Sequence, residues 1–269
     1  LSFFKSFLLA IILKITTSNL IVRFGGSTQQ TFFTKNYLYP VFRYFFAIQT
    51  LSLFQSKSLS SVFLPYISFN GKFMILPNFV EKKKVVLNPR KIKGKIEVLF
   101  IGGPDFKRKG FSTIIKVIKM SQKYKINFTG IGTPKSLHYI QDKFNNLVLL
   151  PHINKVKVEE IISKSDILLL PSKREGFPNI VVEAMSKGLA ILSSDAGALK
   201  DLIKDSYNGF VFHCNDYSSF FSKLIFLTEN PKFYSEISMN NLLTVKSKYT
   251  QSKIFKSFIS NINNLDNYE

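Results

Sequence analysis

The sequence predicts an α/β protein built on a doubly wound parallel sheet, and three observations carry that prediction. From residue 96 onward, short apolar runs alternate with longer stretches of helical periodicity, the rhythm of right-handed crossovers in a sheet covered on both faces. Four of the runs lead into glycine or serine, at Gly102-Gly103, Gly130-Ile131-Gly132, Glu175-Gly176 and Ser193-Ser194. All four therefore fall on one edge of the sheet, where small residues let the backbone approach a ligand. The chain is also large and apolar enough for such a core, with 269 residues, 45% of them hydrophobic, 28 Phe and no Trp.

Taken in order, residues 1–15 read as a buried or membrane-surface helix. Lys5 and Lys14 interrupt it, and its clean apolar run falls short of the roughly 20 residues a bilayer span needs. A strand over 20–24, the glycine turn Gly25-Gly26-Ser27, a helix through Phe46 and short elements ending at Met74-Ile75-Leu76-Pro77-Asn78 make up residues 1–80. So few strands cannot close a doubly wound sheet, so this block is expected to be a partial domain. Phe3, Phe4, Phe32, Phe33, Phe42, Phe45 and Phe46 fit core packing, with a membrane-facing patch as the alternative. Lys82, Lys83, Lys84, Arg90, Lys91, Lys93 and Lys95, with Pro89 and Gly94, read as a basic linker over 81–95.

The second block, 96–246, carries predicted strands at 96–101, 126–129, 147–150, 167–170, 190–192 and 209–212. Helices are predicted at 111–124, 135–144, 158–164, 180–187, 198–204 and 217–227, with two more at 231–246 and 252–265. The last of these lies in a separate C-terminal segment, 247–269.

Charge and composition narrow the function classes. Lys and Arg number 37 against 17 Asp and Glu, a net charge of +20. That excess suits phosphorylated ligands, anionic lipid or nucleic acid, or else is spread over a solvated surface. Nucleic-acid binding is disfavoured, because the basic run lies in the linker without interleaved aromatic residues. The single cysteine, Cys214, allows no internal disulfide and suits a reducing cytoplasm. His138, His152 and His213 are far apart and no Asp-x-Asp pair occurs, so no metal site is predicted. The Gly-x-Gly-x-x-Gly fingerprint, the P-loop and Gly-x-Ser-x-Gly are all absent, which disfavours dehydrogenase, NTPase and serine-hydrolase readings.

The most informative stretch runs from Pro171 to Gly188. The strand ending at Leu170 leads into a loop bearing Glu175, a Gly176-Phe177-Pro178 turn, Asn179 as the expected helix cap, and Glu183 one turn into the helix. Both carboxylates are thereby expected to face one ligand. Lys107, Arg108 and Lys109, ahead of the helix at 111, add cations to the same edge, and helix N-termini add partial positive charge. A diphosphate is the natural guest of such a crevice. Ordinary exposed glutamates and a solvated charge run are the plainer alternative.

These residues, Phe100-Ile101-Gly102-Gly103, Lys109-Gly110, Pro171-Ser172, Glu175-Gly176-Phe177-Pro178, Glu183-Ala184-Met185, Gly188, Asp195-Ala196-Gly197 and Asn208-Gly209, resemble in order the nucleotide-sugar domain of retaining GT-B glycosyltransferases, the glycosyl transferases group 1 or family 4 type. Upstream, Arg23-Phe24-Gly25-Gly26-Ser27 is similar to the acceptor-side glycine turn and residues 75–80 to the interdomain segment. The resemblance implies two Rossmann-like domains, the C-terminal one complete and the N-terminal one partial. It further implies metal-independent transfer of a sugar from a nucleotide-sugar substrate to an acceptor hydroxyl with retention, and no cofactor.

By position, Glu183 would hold the ribose, and Glu175 with Gly176, Phe177, Asn179 and Ile180 would hold the sugar and diphosphate. Gly102, Gly103, Arg108 and Lys109 would receive the phosphates, Lys109 neutralising the leaving group. Gly25, Gly26 and Ser27 would lie on the acceptor side. The implied partners are a nucleotide sugar, a glycan or lipid-linked acceptor and an anionic membrane surface, the enzyme being cytoplasmic and peripheral at the inner membrane face, in surface polysaccharide or glycolipid synthesis. Two departures stand out: Gly103 occupies a position where the family commonly has Arg, and Arg23-Phe24 one where it often has His. The family's first strand and glycine-rich loop have no counterpart in the sequence. The alternative is therefore a non-catalytic nucleotide-sugar-binding module or an inactive truncated transferase.

Overall fold

A computed structural model describes residues 21–24, 51–63, 72–82, 85–92, 94–103 and 105–266. The predicted helix over 1–15, the turn at Gly25, Gly26 and Ser27, and the helix through Phe46 lie outside the described residues.

The first sheet has three parallel strands in the order β1 (Ile21–Phe24), β2 (Leu51–Phe54) and β3 (Lys72–Ile75), with Phe24 level with Phe54 and Phe54 with Ile75. One face is an aromatic stack in which Phe54 lies 5.0 Å from Phe24 and 5.3 Å from Phe63 of α1 (Lys57–Phe63). Leu51, Leu53 and Met74 form a second cluster with Phe258 and Ile262 of the last helix. The strands β2 and β3 are four residues each, too short for apolar alternation to declare them.

The second sheet has six parallel strands: β4 (Ile96–Ile101), β5 (Ile126–Ile131), β6 (Leu147–Leu150), β7 (Ile167–Leu170), β8 (Ala190–Ser194) and β9 (Gly209–Phe212). Their spatial order, β6-β5-β4-β7-β8-β9, means that the chain winds outward from β4 to β6, returns to β7 beside β4, and winds outward again. The winding reverses between β4 and β7, and open α/β sheets take ligands in the crevice at such a reversal. Central β7, Ile-Leu-Leu-Leu, is buried on both faces, whereas edge strand β6 alternates and leaves Val148 exposed.

The helices are α2 (Phe111–Met120), α3 (Lys155–Lys164), α4 (Asn179–Ser186), α5 (Leu199–Leu202), α6 (Tyr217–Glu229), α7 (Pro231–Lys248) and α8 (Gln251–Asp266). One face of the sheet is covered by Phe111, Ile114, Val117 and Ile118 of α2 with Phe220, Leu224 and Leu227 of α6. The other is covered by Val181, Val182, Ala184 and Met185 of α4 with Leu199 of α5. Helix α7 joins the two layers, Tyr234 and Ile237 entering the first and Leu242 and Val245 the second. Burying an apolar side chain of this size contributes about 1.5–3 kcal/mol, which is why the apolar periodicity so closely foretells the elements.

The differences are local. Residues 135–143 form a 3-10 helix without a fully buried residue, Leu137 and Ile140 being only partly covered where they pack against the core. Helix α3 begins three residues before its predicted start because Asn154 caps it, accepting from the Lys157 amide at 2.9 Å. Helix α5 is a single turn, since Ile203 is extended and the Lys204 amide donates to the Asn208 side chain at 2.7 Å. The basic stretch after Glu81 is anchored at Arg90. Its amide donates to Ser238 Oγ at 2.8 Å and its guanidinium to the Ser163 carbonyl at 3.0 Å, lying 3.6 Å from Asp166. Among the described residues no helix is long and apolar enough to cross a membrane.

Candidate active site

The site is assembled on the carboxyl edge of β4 and β7. After β4 the chain turns through Gly102 and Gly103, whose amides donate to the carbonyls of Ile131 and Gly132 at 2.8 Å each. Those N–H groups are spent on the neighbouring loop. Gly103 has φ +80° and nothing within 4 Å of where a Cβ would stand, so it supplies open space beside the edge rather than donors.

Residues 105–110 then fold into a tight turn that delivers two cations. Asp105 accepts from the Arg108 amide at 3.2 Å and from its Nε at 3.1 Å, which orients the guanidinium. Arg108 Nη1 donates to the Arg174 carbonyl at 2.7 Å, and the Arg108 carbonyl accepts from the Lys173 amide at 2.8 Å. The turn after β4 is thereby stitched to the loop after β7. Gly110 makes this possible, because a Cβ there would stand 2.0 Å from the Pro171 carbonyl oxygen.

The product of that stitching is a compact ion cluster. Lys109 Nζ donates to Glu175 Oε1 at 2.6 Å, and Arg108 Nη1 lies 3.8 Å from Glu175 Oε2. The Glu175 side chain is 7% exposed and that of Lys109 16%. A carboxyl group buried to this degree needs polar partners, and the two cations supply them and fix its direction. The β8–α5 loop supports it from behind: Ala198 donates to the Gly176 carbonyl at 3.2 Å, and Gly197 passes so close that a Cβ would stand 1.9 Å from the Glu175 carbonyl oxygen.

Pro178, not Asn179, occupies the cap position of α4, and no side chain caps this helix. Asn179 is the first helical residue, and its Oδ1 accepts from Asn78 Nδ2 instead. The amides of Asn179 and Ile180 thus open the helix without intrahelical acceptors, an anion-favouring end. The Phe177 ring is buried in the core, 6.1 Å from Tyr249, so it anchors the turn and leaves only its backbone to a ligand.

Glu183 is half-buried and lines a cavity of about 270 Å³ with Arg23, Asn78, Phe79, Lys155 and Asn179. The two carboxylates flank the same turn in different company: Glu175 lies between cations, Glu183 in a cleft shared with the first sheet. Lys155 carried no role in the sequence reading, and Arg23 was named only with the acceptor-side glycine turn. Asn78 was named only within its segment, and its position after Pro77, between two domains, was the available signal. Among the described residues no group of three or more His, Cys, Asp or Glu is gathered as metal ligands. His138 is engaged locally, its Nε2 3.2 Å from the Thr133 carbonyl.

Residues 83–242, more than half of the chain, match the family described as Glycosyl transferases group 1. An uncharacterized 41.2 kDa protein in the cps region of Klebsiella pneumoniae is 30% identical over 126 residues, covering 46% of this chain and 34% of that protein. The Escherichia coli UDP-Gal:alpha-D-GlcNAc-diphosphoundecaprenol alpha-1,3-galactosyltransferase is 31% identical over 101 residues, covering 38% and 24%. Staphylococcus aureus CapM, a capsular polysaccharide biosynthesis glycosyltransferase, is 23% identical over 213 residues, covering 74% and 54%. The chain thus spans between about a quarter and a half of these relatives' lengths.

In fold, Anabaena Alr3699/HepE in complex with UDP superposes with a TM-score of 0.78 at 13% identity, covering 96% of this chain and 76% of that one. Thermosynechococcus elongatus sucrose-phosphate synthase superposes at 0.72 and 15% identity, covering 87% and 63%. The architecture is that of GT-B glycosyltransferases, and the chain belongs to the glycosyl transferases group 1 family.

Proposed function

We propose that this chain transfers a sugar from a nucleotide-sugar donor to an acceptor hydroxyl, with retention of anomeric configuration and without an obligatory metal or cofactor. The observation that carries this reading is the half-buried Lys109–Glu175 contact at 2.6 Å, with Arg108 beside it at the β4–β7 reversal. Two cations around one carboxylate suit a ligand that brings both phosphate and hydroxyl groups. An arriving diphosphate draws Lys109 and Arg108 toward its oxygens, and Glu175 is released to accept hydrogen bonds from the sugar. As the bond to the anomeric carbon breaks, negative charge grows on the departing diphosphate. The two cations, by then on the diphosphate, and the open amides of α4 receive it, usually the largest catalytic contribution. Glu183, one turn further on, takes the ribose hydroxyls.

The relatives support a setting in surface polysaccharide or lipid-linked glycan synthesis, one acting on a diphosphoundecaprenol acceptor and another in capsule formation. With the net charge of +20, this favours work on the cytoplasmic face of a membrane, with anionic lipid as a docking surface. The test is a transfer and hydrolysis screen with UDP-, GDP- and ADP-sugars on lipid extracts, wild type beside Glu183→Ala. Undiminished turnover in the variant defeats the ribose assignment. Gly103, where the family commonly has Arg, favours a second reading, a binding module without transfer. Calorimetric donor binding with no transfer to any extracted acceptor would select it.

A further inference from the structure

The side chain of Asn78 joins four groups from both parts of the molecule. Its Oδ1 accepts from Arg23 Nη2 on β1 at 2.6 Å and from Gln55 Nε2, just past β2, at 3.0 Å. Its Nδ2 is directed at the Phe177 carbonyl oxygen at 3.5 Å and at Asn179 Oδ1. Chemistry fixes this orientation, because a guanidinium can only donate and a main-chain carbonyl can only accept. The amide of Asn78 therefore cannot be reversed without losing partners on both sides. Its first two partners belong to the first sheet, and its last two lie on the turn between Glu175 and Glu183.

The geometry points to Asn78 as a positioning residue that makes the conformation of the Glu175–Asn179 turn depend on the first sheet. Arg23 is exposed, and its Nη2 donates to Asn78. It stands two residues before Gly25 in the sequence, so a displacement of that strand end reaches the turn through one amide side chain. A second contact between the same parts, the Ser58 amide and hydroxyl donating to Asp201 at 2.7 and 2.8 Å, holds α1 against α5 and leaves the turn to Asn78. Only the consequence for catalysis rests on the transferase reading: a turn that is firm when the two parts are together, and loose when they are not, ties donor handling to the acceptor side.

The link is tested on the full chain by hydrogen–deuterium exchange of the peptide spanning residues 175–180, which needs no substrate. Asn78→Ala is expected to speed exchange there about fivefold, the worth of one ordinary hydrogen bond, while β4 and β5 keep their protection. Arg23→Ala is expected to have a similar effect on the turn, although it is an exposed side chain on another sheet. In the Asn78→Ala background it should add nothing. An unchanged turn in Arg23→Ala, or effects that multiply in the double variant, overturns the proposal. Loss of protection throughout β4 and β5 also overturns it, since Asn78 would then be a general structural support. A failed donor screen with a positive exchange result leaves the link standing and removes the transferase reading alone.

Discussion

Gly197→Ala puts the support behind Glu175 to a direct test. Gly197 has φ +56°, a left-handed conformation that costs a residue with a Cβ about 1–2 kcal/mol. The larger effect is the clash. The added Cβ would stand 1.9 Å from the Glu175 carbonyl oxygen, well inside the 3.0 Å that real Cβ atoms keep, and the obstacle is main chain that no rotamer change can clear. The two backbones must part by about 1 Å, an overpacking cost of roughly 1–3 kcal/mol. The sum is about 2–5 kcal/mol of destabilisation. It falls on the segment that aims Glu175 at Lys109.

Gly103→Ala is the matched control. Its φ of +80° carries the same backbone strain, but nothing lies within 4 Å of its Cβ, so only about 1–2 kcal/mol is expected. Urea unfolding of both variants separates the two contributions, with donor binding measured under conditions where each is folded. Equal losses in the two variants, or a Gly197→Ala protein that loses less than about 1 kcal/mol, would refute the claim that Gly197 is required by close approach to Glu175.

Three further outcomes follow from the same contacts. Lys109→Ala removes the shorter of two cation contacts from a carboxylate that is 7% exposed, leaving Arg108 at 3.8 Å, and should cost about 1–3 kcal/mol in urea unfolding; Glu175→Gln introduced alongside should recover most of it, because a buried carboxylate short of one cation is gone. Asp216 caps α6, accepting from the Ser219 amide at 3.1 Å and its hydroxyl at 2.6 Å, and the Ser219 hydroxyl leads in holding its carboxyl below the ordinary range. Asp216→Ala should cost about 1 kcal/mol near neutral pH. Its lowered folded-state pKa means that this contribution is present above the unfolded value of about 3.9 and is lost as pH falls through the folded one, so wild type and variant should converge in acid. Asp166 behaves oppositely: burial leads in raising its carboxyl, against the Glu97 amide and Arg90. Its ionised form is disfavoured in the folded state, so its effect on stability worsens as pH rises from about 3.9 through the raised value. Asp166→Asn should flatten the unfolding free energy across that window, and an unchanged slope there would contradict the assignment.

Much of the second sheet was legible because its code is local. Strands β4, β6, β7 and β9 have the predicted bounds, since an apolar run closed by glycine, proline or a polar residue states both the buried span and its end. The first sheet was not legible to the same degree: Leu-Ser-Leu-Phe and Lys-Phe-Met-Ile become strands by pairing with each other, the former also with β1, and by packing against Phe63 and Phe258. The misassigned cap shows the same limit. Asn179 has the right chemistry for a cap, but a residue on another element claims its side-chain oxygen.

Gly130, Ser193 and Ser194, expected past strand ends, lie inside β5 and β8. The sequence by itself nonetheless determined the fold class and placed Gly102, Gly103, Lys109 and Glu175 past strand ends on one edge, because apolar periodicity is a property of consecutive residues. Only the tertiary structure decided which of them meet. It placed Lys109 on Glu175 by bringing β4 beside β7, set Glu183 in a different cleft, and put Asn78 between the two parts. Lys109 and Glu175 are 66 residues apart and Asn78 and Phe177 are 99, and no local pattern encodes the spatial order of strands that closes such distances.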